Sequence, residues 1–364
     1  MTSASHESVI VSTDKGRATR VSVSVIMTVR NALDDCAATL ESLARQTRCP
    51  DEIVIVDGGS TDGTLARLHE FAAVHGRCTI VEATGANIAK GRNIATREAT
   101  SEVIAATDSG CRLDPDWLAE LIRPFEECAK TEVVAGAYRV DSRSLLEEVV
   151  GFATMRGQLE PFDAERFNPS GRSIAYRKSL WERAGGWPEW VRFSEDTLFD
   201  HKLRRLGATW RFAAGAIAHW RPRGSLRAVA RQFYLYGTGR GHTQIDAASF
   251  RYNLRNVAIL AALCLSGIAL PWLWAMGAAW VVYCYVLPFH RRAARIARAT
   301  GRWSAYPLTF VVMWIVLFSN LLGFIVGTVQ RRWRRDSIAI PLERYMSVDT
   351  GRGESSGTLH AIPH

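Results

Sequence analysis

Between Val21 and Ala106 the apolar residues keep two periods in turn. Val21 to Val29 (VSVSVIMTV) is a β-rich run, and Leu33 to Arg45 has helical spacing through Leu33, Leu40 and Leu43. Ile53 to Val56 is a continuous apolar run that stops at Asp57. Thr64 to Val74 reads as a helix, Thr79 to Val81 as a strand, Ala86 to Ala99 as a helix, and Val103 to Ala106 as a strand ending just before Asp108. Two of these strands are short and apolar on both faces. Strands of that kind, alternating with helices, predict an α/β fold with a mostly parallel sheet and helices on both faces. Ligands of such sheets bind beyond the C-terminal strand ends. Arg30-Asn31, Asp57 and Asp108 stand at three such ends.

Beyond Trp117 the pattern is mixed. Val133 to Val140 predicts a strand, Leu145 to Gln158 a helix, residues 161–172 a loop and Leu198 to Leu206 a short helix. Thr209 to Ala213 and Ala216 to His219 read as strands around Gly215. Residues 257–289 and 303–329 then contain no charge. The first block is too long for one helix across a hydrocarbon core of about 30 Å. Pro271 near its middle suggests a hairpin, and residues 305–329 have the length of one span. About three spans follow, with one conflict. If the 291–302 loop is cytoplasmic, Arg331 to Arg335 falls outside, against the positive-inside rule. Re-entry near Asn320 and Gly323, or a surface-lying segment, removes it. The expected division is a disordered tail (1–20), a soluble domain (21–230), an interfacial segment (231–255), a membrane region (256–330) and a basic then disordered tail (331–364).

Charge sharpens this picture. The net charge is +9, which admits nucleic-acid binding, but the arginines cluster around the apolar blocks. That placement fits anionic lipid headgroups, so no nucleic-acid partner is expected. Seven cysteines, an odd number with no CxxC pair, argue against a disulfide framework or zinc site. Met1 to Arg20 has no apolar segment of a signal peptide. The expected location is the cell (inner) membrane, multi-pass, with the soluble domain cytoplasmic.

Candidate chemistry sits in five places. Asp57 opens DGGSTDGT, where glycines allow close approach and Asp57 can accept from a base N–H or a ribose hydroxyl; Asp62 suits the cap of the next helix. Lys90 and Arg92, in Lys90-Gly91-Arg92-Asn93, are either solvated or in reach of a pyrophosphate. Asp108, in Thr107-Asp108-Ser109-Gly110, is either a turn acid or the holder of a divalent cation on a nucleotide sugar's diphosphate. Glu195 and Asp196 suit a helix N-terminus and also suit a general base. His219 is either a core or capping histidine or part of a metal site, and the aromatic and basic residues after it suit an interfacial helix.

Together VSVIMTVRNA, IVIVDGGSTDGT, GRNIA, TDSG, GGWPEW…SEDTLF and RQFYLYGTGRG, in that order, resemble the family 2 glycosyltransferases of the GT-A fold over residues 21–240. The apolar C-terminal region makes the chain look similar to membrane-anchored bacterial enzymes of exopolysaccharide or lipid-linked glycan synthesis, the succinoglycan-type glucosyltransferases among them. The resemblance implies an inverting transfer from a nucleotide sugar, a UDP-sugar first, to a lipid-linked saccharide. It implies donor binding by Thr28, Arg30, Asp57, Arg92, Asn93 and Gln232, and Mg²⁺ or Mn²⁺ on Asp108. It also implies Asp196 as base, with Glu195 holding the acceptor. The family pattern is broken at Gly58 and at Gly110, where relatives carry further acids, and His219 is the candidate for the missing ligand. One alternative is a non-catalytic part of a polysaccharide assembly or export complex. A nucleotidyltransferase is disfavoured by Val29-Arg30-Asn31-Ala32, which lacks a glycine loop.

Overall fold

The computed structural model describes residues 20–155, 158–159 and 169–347. The expected tail 1–20 lies almost wholly outside these residues, as do the second half of the 331–364 tail and most of the 161–172 loop. The first half folds as β1 (Val23–Val29), α1 (Leu33–Ala44), β2 (Glu52–Asp57), α2 (Thr64–Val74), β3 (Cys78–Glu82), α3 (Ile88–Glu98) and β4 (Val103–Asp108). Then come β5 (Cys111–Leu113), α4 (Trp117–Glu127), β6 (Val133–Val140), α5 (Leu145–Thr154), β7 (Ile174–Arg177), α6 (Lys178–Ala184), α7 (Glu195–Arg205), β8 (Trp210–Trp220) and α8 (Leu226–Thr243). The C-terminal helices are α9 (Ala247–Ser266), α10 (Trp272–Val281), a π-helical turn (Val282–Val286), α11 (Leu287–Thr300), α12 (Ala305–Trp333) and α13 (Ala339–Met346).

The strands form one sheet in the order β3-β2-β1-β4-β7-β6-β8-β5. Strands β3, β2, β1 and β4 are parallel, as the alternating pattern requires. Beyond β4 the sheet departs from the mostly parallel expectation: β7 pairs antiparallel with β4 and β6, and β5 antiparallel with β8. Strands β5 and β7 are too short to show a hydrophobic period. The two strands expected around Gly215 are one, β8, which takes up the extra residues at a register shift opposite Gly136 and Ala137.

Both faces of the sheet are covered. Val23, Val25, Val103 and Ala105 pack with Trp117, Leu118, Leu121 and Phe125 of α4. Ile26, Ile104 and Ala106 pack on the other face with Ala89 and Ala95 of α3. This explains why β2 and β4 read as apolar runs rather than as alternation.

Helices α8 and α12 lie side by side, pointing the same way. A Cβ on Gly237 would meet the Asn320 carbonyl, and one on Gly327 would meet the Thr238 carbonyl at 2.2 Å, so only glycine permits this approach. Trp272–Thr300 and Ala305–Trp333 are long and apolar enough to cross a membrane by length and composition.

Candidate active site

Register brings the carboxylates to one edge. In the ladders Asp57 lies opposite Val29 and Asp108 opposite Thr28, so the two acids flank the end of β1. Asp57 is 2% exposed. Its Oδ2 accepts from the amides of Gly59 and Ser60 at 2.9 and 2.8 Å, and its Oδ1 accepts from the Ser60 hydroxyl at 2.5 Å. It therefore shapes the turn that any ligand there must meet. Above that turn Arg30 is exposed, and the first turn of α3 rests on Thr28, close enough that a Cβ on Gly91 would lie 2.6 Å from Thr28 Cγ2. Asp62 caps α2 from one residue further out than expected. Gly63 takes the N-cap in a left-handed conformation, while Asp62 accepts from the Thr64 amide at 3.1 Å.

Arg92 organises the centre. It is 3% exposed and lies on α3. Its Nη2 donates to Asp108 Oδ1 at 2.8 Å and its Nη1 to Glu195 Oε1 at 3.3 Å. The guanidinium also lies over the Trp187 ring, 4.7 Å from the centroid. One cation thus ties the end of β4 to the start of α7, Arg92 itself lying 103 residues before Glu195. Burial disfavours the Arg92 charge, but Asp108 and then Glu195 outweigh it, so its pKa moves up. On Glu195 the balance runs the other way. Burial, then the Asp196 charge, push its carboxyl up to about 7 in spite of Arg92.

Asp196 stands beside Glu195 in the first turn of α7, half-buried, with Oδ1 accepting from the Thr197 amide at 2.7 Å. Behind them Asp200 is fully buried, and burial followed by Asp196 drives its pKa well up. Helix α13 closes this side: the Tyr345 hydroxyl donates to Gly186 O at 2.9 Å, and Lys202 Nζ donates to Tyr345 O.

A second arginine, Arg172, has its Nε 3.8 Å from Asp108 Oδ2 and its guanidinium 4.6 Å from the Trp220 ring centre. Burial opposes its charge, while Tyr236 of α8 and then Asp108 raise its pKa. Sequence reasoning passed over Arg172. The one signal was its position after Pro169-Ser170-Gly171, directly before an apolar strand.

Two expected site residues are placed elsewhere. Asn93 donates to Trp187 O at 2.9 Å and to Glu189 Oε1 at 2.8 Å. It accepts from Trp181 Nε1 at 3.0 Å and from the Trp187 amide at 2.7 Å. Its hydrogen-bonding capacity holds the Trp187 loop and leaves nothing for a donor. His219 Nε2 is paired with Asp114 Oδ1 at 2.7 Å. Its neighbour Trp220 faces the Asp108 side through Arg172, so strand alternation turns His219 away. Among the described residues no group of three or more His, Cys, Asp or Glu is arranged to hold a metal. Gln232 Nε2 donates to the Tyr236 hydroxyl at 2.9 Å, and its buried Oε1 lacks a partner.

Two expectations follow from this geometry. A Cβ on Gly171 would lie 2.0 Å from Arg92 Nη2. Gly171→Ala should therefore displace Arg92 and destabilise the fold by about 1–3 kcal/mol, read by thermal unfolding. The second concerns pH. Glu195 has its folded pKa above the unfolded value of 4.5, so the native state binds the extra proton between pH 4.5 and about 7. Stability from this group falls as pH rises through that window. Measured against wild type, Glu195→Gln should gain in Tm from pH 4.5 to 7, with the difference level above 7.

Residues 24–183 match the family model described as Glycosyl transferase family 2. The O-antigen chain rhamnosyltransferase RfbN of Salmonella typhimurium is 21% identical over 205 residues, covering 54% of this chain and 65% of that protein. The chain thus spans just under two thirds of that relative's length. The succinoglycan biosynthesis protein ExoA of Rhizobium meliloti is 24% identical over 239 residues, 61% of this chain and 70% of that protein. The solved mannosyltransferase PcManGT from Pyrobaculum calidifontis, in complex with GDP-Man and Mn²⁺, is 21% identical, with a TM-score of 0.53 over 85% of this chain and 88% of that one. That likeness concerns the fold, which is GT-A, here followed by apolar C-terminal helices.

Proposed function

We propose, from a chain whose residues 24–183 match the family 2 glycosyltransferase model, an inverting transfer of a sugar from a nucleotide donor to a membrane-associated acceptor. The observation that carries this reading is the Arg92 bridge between Asp108 and Glu195. It sets a diphosphate-binding strand end beside a pair of carboxylates at a helix start, the two functions a direct displacement needs.

The nucleoside would lie over the ends of β1 and β2, between Thr28, Arg30 and the Asp57 turn. The diphosphate would face Asp108, with Arg172 and Arg92 supplying positive charge to the leaving group. Asp196 would take the proton of the acceptor hydroxyl as its oxygen bonds the anomeric carbon and the bond to the phosphate oxygen breaks. Glu195, fixed by Arg92, would position Asp196 and the acceptor. Gln232, with its unpartnered Oε1, would meet a donor or acceptor hydroxyl.

The donor set suits a divalent cation of one kind. Asp108 offers one partly exposed carboxylate, its Oδ2 not hydrogen-bonded by Arg172 at 3.8 Å. Mg²⁺ and Mn²⁺ are commonly held by one or two carboxylates plus substrate phosphates and water. Asp108 would hold the ion, which when bound supplies neutralising charge to the diphosphate. The acceptor reading draws on the apolar helices that pack on α8 and on relatives named for O-antigen and succinoglycan synthesis. A lipid-linked saccharide and a cell-membrane location follow from it. Equilibrium binding of UDP, GDP and dTDP, with Mn²⁺ and with EDTA, tests the donor site. One nucleotide should bind more tightly with Mn²⁺, and Asp108→Ala should remove the metal response. Equal, metal-blind binding of all three would contradict it.

A further inference from the structure

Helix α12 of the apolar C-terminal region meets the rest of the chain at both of its ends, and this limits how the region can sit in a bilayer. At its start α12 packs with α5 and the first turn of α8, through Ala305 and Val312 against Val149, Val150 and Val229. At its end Gln330 Oε1 meets His242 Nε2 at 2.8 Å in the last turn of α8, and Arg331 Nη1 donates to His242 O at 3.0 Å. A few residues on, Leu342 and Met346 of α13 pack on Val191 and on Leu198 of α7. Both ends of α12 are therefore fastened to the one soluble domain. Were α12 to cross the membrane, α8 beside it would cross too, and α5 and α7 would lie on opposite sides. No single folded sheet domain allows that.

The outer face of α12 agrees. Val311, Phe318, Leu322, Ile325, Val329 and Trp333 are exposed, and at about 100° per residue they fall within an arc of about 80°. The face turned to α8 carries Ala305, Thr309, Val312, Gly323 and Gly327. With both ends of α12 fastened to one domain, this one-sided stripe fits a helix lying along the interface with its other face on protein.

Helices α9 and α10 form a hairpin whose base rests on α12. Phe250 stacks on Phe324 and Phe289 packs on Trp314. The free arms, Asn256 to Ser266 and Trp272 to Cys284, reach about 16–20 Å at 1.5 Å per residue, short of a hydrocarbon core of about 30 Å. The tip is apolar, with Ile268 75% exposed. Its amides bond locally, Gly267 to Leu263 O and Leu270 to Ser266 O, and Trp274 Nε1 donates to Cys264 O on the other arm. Internally satisfied backbone suits hydrocarbon. Between Asp246 and Asp336 the sequence has no acidic residue. Arg251, Arg255, Arg291, Arg298, Arg302, Arg332 and Arg334 are exposed at the ends of these segments, beside Trp303 and Trp333.

We propose that this chain grips an anionic bilayer from one side only. Helix α12 lies in the headgroup layer with its stripe among the acyl chains, and the α9–α10 hairpin dips in and returns. Among the described residues no segment emerges on the far side, and the arginine clusters around the apolar helices face the same headgroups, which removes the charge conflict of a three-span topology. The proposal rests on the membrane part of the proposed function.

The test uses the full chain in sealed membrane vesicles of both orientations and a membrane-impermeant maleimide. Native Cys49, exposed on the soluble domain, marks the catalytic side in a background where Cys78, Cys128, Cys264 and Cys284 are replaced by Ser. Thiols introduced by Trp303→Cys and Arg335→Cys should label only from the side that labels Cys49. The thiol introduced by Ile268→Cys should label from neither side until detergent is added, which also shows that this thiol is reactive; retained nucleotide binding shows that each variant is folded. Labelling of the Ile268→Cys thiol from the far side, or of the other two from opposite sides, would overturn the one-sided arrangement. Recovery of the chain in the soluble fraction without detergent would instead remove the membrane reading itself.

Discussion

Asp196→Asn should lower sugar transfer by about 10²- to 10⁴-fold, the usual worth of a positioned general base, while nucleotide affinity stays within about twofold. The substitution keeps the size and the helix-start position of the side chain. Asn can still accept from the Thr197 amide, now at 2.7 Å, so α7 should form as before. What is lost is the capacity to take a proton. Separate measurement of kcat and donor Kd distinguishes this from misfolding, which would move both. An Asp196→Asn enzyme with wild-type kcat would remove Asp196 from the chemistry and leave Glu195 as the carboxylate to examine.

Arg92→Met should be the most costly single change in the soluble domain. The cation is buried against Trp187 and joins two carboxylates. Removing one partner of a buried pair costs about 3–5 kcal/mol, because the opposite charge is left uncompensated. Most of that falls on Glu195, since Asp108 is partly exposed and keeps Arg172 near it. The cost should depend on pH with a definite sign. At pH 6 Glu195 is mostly neutral with or without Arg92; above about 7 the wild-type carboxylate is charged and paired, whereas without Arg92 it must either stay charged and unpaired or keep a proton. The loss of Tm should therefore be larger at pH 8 than at pH 6. Glu195→Gln added to Arg92→Met should recover part of the loss at pH 8 and little at pH 6, a coupling that additive, unrelated effects cannot produce.

Much of the first half was legible because its elements are local. A continuous run such as Ile53 to Val56 is too short for a helix and reads as a strand covered on both faces, which puts an acid directly after it at the ligand edge of a parallel sheet. That reasoning puts Asp57 and Asp108 on one sheet edge; that they flank β1 comes from the register alone. The antiparallel half was less legible. Strand β7 is four residues long and β5 three, below the length at which a period of two can be told from chance. The Arg92–Glu195 contact could not be read at all, since it joins side chains 103 residues apart through packing alone. His219 shows a different limit. Its place on β8 was foreseen, but neighbouring strand residues face opposite ways, and the sequence does not say which of His219 and Trp220 faces the site. The family resemblance implies a donor contact for Asn93 through the GRNIA motif; its four hydrogen bonds inside the protein account for it fully. The apolar helices were found by their lack of charge. Their relation to the membrane, by contrast, depends on α8 lying alongside α12, which composition does not encode.

The measurement that reaches furthest is turnover of UDP-, GDP- and dTDP-sugars by the purified full chain, with an anionic membrane lipid extract as acceptor source and with Mn²⁺ or EDTA. One donor should be consumed, with nucleoside diphosphate released and sugar recovered in the lipid phase with inverted anomeric configuration, and Asp196→Asn should abolish this. Folded protein that releases no nucleoside diphosphate from any donor would contradict the account and favour a non-catalytic role in polysaccharide assembly.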